Sequence, residues 1–70
     1  MGKTYKIVAI YKDNIGDIYK IQEVSSSRIL FGGNHWNVLY DDGTVMKTDF
    51  SSFDRAYYHL ERKVGAIVQL

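Results

Sequence analysis

Seventy residues with no cysteine and no proline suit one domain near the lower size at which an apolar core folds unaided, and they exclude a disulfide framework, Cys-type zinc sites and thiol nucleophiles. Hydrophobic residues at 46% and charged residues at 24% are an ordinary globular balance, which excludes a disordered or fibrous chain. The net charge of +1, nine Lys and Arg against eight Asp and Glu, gives no overall field that would drive the chain onto nucleic acid or anionic lipid.

Apolar runs such as Ile7-Val8-Ala9-Ile10-Tyr11 fall far short of the roughly 20 residues that cross a bilayer. Lys3 and Lys6 precede only that short run, with no small-residue cleavage site, so neither a signal peptide nor a membrane span is expected. A Met-Gly start opens a myristoylation-like pattern, but Lys6 stands where Ser or Thr is required. A cysteine-free chain leaves the redox compartment open, and a cytoplasmic location is the default expectation.

Residues 4 to 12, Thr-Tyr-Lys-Ile-Val-Ala-Ile-Tyr-Lys, are β-branched and aromatic, a strand signature. Regular alternation puts Tyr5, Ile7, Ala9 and Tyr11 on one face and Val8 and Ile10 on the other, which predicts a central strand covered on both sides. Asp13-Asn14-Ile15-Gly16-Asp17 is a turn, and a second strand is expected from Ile18 to Val24. Ser25, Ser26 and Ser27 break it, Arg28-Ile29-Leu30-Phe31 forms a short third strand, and Gly32-Gly33-Asn34 is a loop.

Residues 35 to 50 then form a hairpin around Asp42-Gly43, the signal for a two-residue type I′ turn. That turn sets Tyr40 opposite Val45, Leu39 opposite Met46, Val38 opposite Lys47, Asn37 opposite Thr48 and Trp36 opposite Asp49. One face then carries Leu39, Met46 and Phe50. The other carries Trp36, Val38, Tyr40 and Val45. The run Trp36-Asn37-Val38-Leu39-Tyr40-Asp41-Asp42-Gly43 resembles strand-and-turn segments of SH3-like and Tudor-like barrels, but the helix expected after it departs from those folds.

Ser51 or Ser52 caps that helix, with Asp54 near the positive end of its dipole. Phe53, Ala56, Tyr57, Leu60 and Val64 lie on one side of the helical wheel, and Gly65 follows the basic last turn of Arg62 and Lys63. Ala66 to Leu70 reads as a closing strand, with continued helix as the rival. The expected fold is α+β: a small antiparallel sheet of four to five strands, ββ(β)ββαβ, with one amphipathic helix packed on one face. Because Phe50 leads straight into the helix, the Leu39/Met46/Phe50 face is expected to be the covered one.

No pattern for metal or cofactor chemistry is present. His35 and His59 lack His-x-x-x-His spacing, Gly32-Gly33 lacks a phosphate-loop context, and no Gly-x-Ser-x-Gly elbow occurs. Asp41 and Asp42 sit at a hairpin tip where nothing would raise a carboxyl pKa. No catalytic residue, metal ligand or cofactor is expected.

Surfaces remain. On the helix, Arg55, Tyr58 and Arg62, with His59 nearby, oppose the apolar stripe, and Tyr and Arg are enriched at the energetic centres of protein interfaces. On the hairpin, Trp36, Val38 and Tyr40 form an apolar patch that needs a cover, supplied by a partner, a second subunit or curling of the sheet. These features suggest a small non-enzymatic protein-binding module, an accessory or inhibitor protein of the type bacterial mobile elements encode, with homodimerisation as a variant. The alternative is a nucleic-acid-binding β platform, with Tyr5, Tyr11, Tyr19, Trp36 or Tyr40 stacking on bases and Lys6, Lys12 and Lys20 meeting phosphates. A further alternative is an acidic nucleic-acid mimic built from Asp41, Asp42, Asp49 and Asp54.

Overall fold

The structure, a computed structural model, describes residues 2–26 and 33–70. Strands β1 (Lys3–Asp13), β2 (Ile18–Ser26), β3 (Asn34–Tyr40) and β4 (Val45–Phe50) are followed by helix α1 (Phe53–Val64) and strand β5 (Ile67–Gln69). They form one antiparallel sheet in the order β4-β3-β2-β1-β5, with the helix packed on it. This is the expected α+β architecture, and the C-terminal segment is the closing strand. Among the described residues, no helix is long and apolar enough to cross a membrane. The short strand expected at Arg28–Phe31 lies outside the described residues.

The two hairpin turns share one design. Gly16 donates its N–H to the Asp13 carbonyl at 3.2 Å and Gly43 donates to the Tyr40 carbonyl at 3.0 Å, while Tyr40 donates to the Thr44 carbonyl at 2.8 Å. Each turn therefore closes over a three-residue loop ending in a glycine of positive φ, 93° at Gly16 and 89° at Gly43. The type I′ expectation needed Asp42 in that region as well. Instead the Asp42 carboxylate accepts the Thr44 N–H at 2.9 Å, which holds the longer loop.

The longer loop moves the register by one residue, setting Leu39 opposite Val45 rather than Met46. Two irregularities follow: an extra residue at Met46 brings Val38 back opposite Lys47, the expected pair, and a second within Thr48–Asp49 sets Trp36 opposite Phe50 rather than Asp49. Asp49 adopts φ 68°, a left-handed conformation in which Asp is tolerated better than most side chains. Each extra residue reverses the facing of what comes next, so Trp36, Val38, Met46 and Phe50 end on one side of the sheet.

That side is the one the helix covers, contrary to expectation. Ala56 and Leu60 bury themselves in a core of Ala9, Tyr11, Tyr19, Ile21 and Val38, and Trp36, Met46, Phe50, Phe53, Tyr57 and Val64 pack around it. Leu39 points to the other side. A bulge in β1 between Ile7 and Ala9 has the same effect there, sending Tyr5 and Ile7 to the reverse face while Ala9 and Tyr11 stay beneath the helix. The expected continuous Tyr5/Ile7/Ala9/Tyr11 face is thus split. The Tyr11 and Tyr57 rings meet at 5.4 Å under the helix.

Asn37 fastens the β4 irregularity. Its side-chain Oδ1 accepts from the Thr48 hydroxyl at 2.5 Å and the Asp49 N–H at 3.2 Å, and its Nδ2 donates to Gln22 Oε1 at 3.0 Å. Asn37→Ala should cost about 2 kcal/mol, because half-buried donors and an acceptor lose their partners together. Urea denaturation should show the midpoint falling with an unchanged slope. An unchanged midpoint would mean the bulge stands without Asn37.

Candidate docking groove on the outer helix face

Helix α1 begins where Ser52 accepts the Arg55 N–H at 3.1 Å on its hydroxyl, and it ends where Gly65 donates to the Glu61 carbonyl at 2.9 Å. The caps fix which residues face outward. Arg55, Tyr58, His59, Arg62 and Lys63 recur at helical spacing along one side of the helix, and Phe50 closes the space below them. The resulting groove has a volume of about 450 Å³.

Its floor is aromatic. Phe50 lies against the His59 ring with centroids 5.2 Å apart and planes tilted by 45°. Its walls are cationic: Arg62 donates to the Tyr58 hydroxyl at 3.3 Å, and its guanidinium carbon lies 5.4 Å from the Tyr58 ring centre. Among the described residues, no carboxylate comes within salt-bridge distance of Arg55, Arg62 or Lys63. Asp54 and Glu61 lie beyond Tyr58, in a neighbouring groove shared with Ser52, Arg55 and Tyr57.

Burial pushes the His59 imidazole below its ordinary value of 6.5, and the charges of Lys47 and Lys63 add to the shift. A histidine that resists protonation in the folded state contributes stability above its unfolded pKa, and the contribution fades as pH falls from there through the lowered folded value. Thermal midpoints should therefore decline from about pH 7 to pH 5, and His59→Gln should flatten the decline. An equal decline in that variant would contradict this assignment.

The other expected site residues are dispersed. Val38 is fully buried, and Trp36 is half-buried in the helix-covered core, so the hairpin patch is covered within the chain; only Tyr40, 40% exposed, remains at its rim. Trp36, Val38 and Tyr40 do share one face of β3, but the helix packs on that face, so they do not form the open docking surface expected from the sequence. Tyr11 and Tyr19 are likewise buried, which removes both from any base-stacking platform. Tyr5, Lys12 and Lys20 lie on the reverse face, whereas Lys6, opposite Glu23, lies on the helix side.

Tyr19 instead belongs to a cleft at the turn end of the sheet, lined by Gly16, Asp17, Ile18, Tyr40, Asp41 and Asp42. Its ring lies 6.1 Å from that of Tyr40, and its hydroxyl donates to Asp13 at 3.2 Å. Burial raises the Tyr19 phenol, and the Asp13 hydrogen bond raises it further. Burial also pushes Asp13 upward, but the N–H groups of Asp17 and Ile15 and the Tyr19 hydroxyl outweigh it and hold the carboxyl below its ordinary value.

Two of the four aspartates of the mimic reading have basic neighbours: Asp41, in the hairpin turn, lies 3.8 Å from Lys20, and Asp49, near the end of β4, lies 3.4 Å from His35, while Asp54 sits in the first helical turn. Sequence reasoning singled out Arg55, Tyr58 and Arg62 but not Phe50 or Lys63 as their companions. Lys63 was detectable as the residue four beyond His59; Phe50 required the bulged register. The chain matches no family model, and comparison with curated proteins and with solved structures returns no similar protein.

Proposed function

We propose that this protein is a small non-catalytic binding module that docks a protein partner through the outer face of α1, with Arg55, Tyr58 and Arg62 as its contact residues. One observation carries the reading: three cations without acidic partners among the described residues stand around an aromatic floor in an open groove. Such a surface combines large rigid contact area with directional donors, the combination that dominates binding energy at interfaces. The bulk of the remaining large side chains is committed to the core beneath the helix, which leaves little for a preorganised catalytic pocket.

A photo-cross-linking side chain at position 58, compared with one at position 7 on the reverse face, tests this in lysate of the native host. The expected result is a discrete protein adduct from position 58 that disappears when Arg55→Ala and Arg62→Ala are added. Adducts from position 7 alone, or from neither position, would overturn it.

A further inference from the structure

We propose that the groove's occupant is an acidic protein segment that sets an apolar side chain between carboxylates, the carboxylates meeting Arg55, Arg62 and Lys63 and the apolar group resting on the Phe50–His59 floor. This rests on the docking reading above and names the chemistry of the partner. Guanidinium groups present paired donors that match a carboxylate in the plane. Arg62 is held by Tyr58, so less side-chain freedom is lost when a carboxylate arrives.

Size and boundary favour a short acidic segment over a nucleic-acid strand. Arg55 and Arg62 are seven positions apart, about 10 Å along a helix axis, enough for a few carboxylates but not for a long phosphate track. Asp54 and Glu61 border the strip across Tyr58 and would repel a continuous polyanion. Nor do Tyr11 and Tyr19, buried under the helix, offer bases a stacking surface.

The floor also couples binding to a proton. His59 faces Lys47 from β4 and Lys63 on its own helix, with Arg55 and Arg62 lining the same groove; burial and the two lysines oppose its protonation in the free protein. A bound carboxylate reverses that balance. By linkage, the acidic segment then binds more tightly once His59 takes up a proton.

The test uses the full chain and three probes: a synthetic acidic hexapeptide with one central phenylalanine, the same peptide with lysines replacing its acids, and a thymidine oligonucleotide. Amide-shift titration should show the acidic peptide moving Tyr58, His59 and Lys63. Its affinity should fall at least about tenfold in the Arg55→Ala/Arg62→Ala variant, fall with added salt, and rise severalfold from about pH 7 to pH 5.5. Both arginines are exposed, so the variant should keep the parent's amide dispersion. Stronger binding of the oligonucleotide or lysine peptide, or acidic-peptide binding indifferent to the two arginines, would overturn the inference. A protein cross-linked at position 58 through a salt-insensitive contact would overturn this inference while leaving the docking reading intact; peptide binding without any cross-linked protein would overturn the docking reading and, with it, the claim of a protein occupant.

Discussion

Leu60→Ala is expected to cost about 3 kcal/mol, within the range for removing a fully buried leucine from a core that cannot collapse around the gap. Leu60 is 0% exposed and joins the helix to Ile21 and Val38, the two central residues of the sheet's covered face. Single cores of this size supply only a few kcal/mol of net stability. The loss would therefore consume most of it, lowering the thermal midpoint by roughly 12 to 24 °C at the sensitivity of small domains. Calorimetry checks this, with Leu70→Ala as the comparison: Leu70 is 67% exposed, and its truncation should move the midpoint little. Equal shifts in the two variants would mean that the helix does not close the core.

Charge reversal in the groove should have the opposite profile, with a large effect on docking and a small one on folding. Arg55→Glu/Arg62→Glu replaces two attractive contacts with two repulsive ones, so affinity for an acidic partner should fall at least about a hundredfold. Stability should change by less than about 1 kcal/mol, because among the described residues neither arginine holds an ion pair and exposed charges contribute little. The helix dipole divides the residual effect. Glutamate three residues after Ser52 completes a capping-box pattern and favours the helix start, whereas glutamate in the last turn opposes its negative end. A calibrated pull-down and a denaturation curve on the same preparation separate the two quantities. Retained affinity would remove the groove from the interface; lost folding would show that the arginines hold the helix.

The helix was the most legible part of the chain because cap, apolar stripe, basic last turn and terminal glycine all agree. Ser52, Ala56, Leu60 and Gly65 occupy the roles their spacing implies. The closing strand was legible from the β-branched pair Ile67 and Val68, and it pairs with β1 through Asp13 and Lys12. Sheet parity was not legible. Strand alternation passes through Ile7–Ala9 and Met46–Phe50 without any local mark of an extra residue, yet each bulge exchanges the inward and outward sets beyond it.

The functional consequence is direct. Under regular alternation Trp36, Val38 and Tyr40 would form an open apolar surface, and the arginine-lined helix would be one docking candidate of two. With the bulges in place, the hairpin's aromatic side becomes the seat of the helix, and Phe50 is carried round to floor the groove. On the reverse face, Tyr5, Ile7 and Val45 remain exposed, at 61%, 41% and 51%. Arg55, Tyr58 and Arg62 were identifiable because an exposed stripe opposite a well-defined apolar one needs only helical periodicity.

Methyl nuclear Overhauser contacts between β3 and the helix decide the matter. The bulged register requires Val38 methyl groups to contact the buried side of α1 at Ala56 and Leu60, with none reaching the helix from Leu39. Contacts from Leu39 to Leu60, with Val38 silent, would restore regular alternation, expose the Trp36 side and remove the structural basis of the groove.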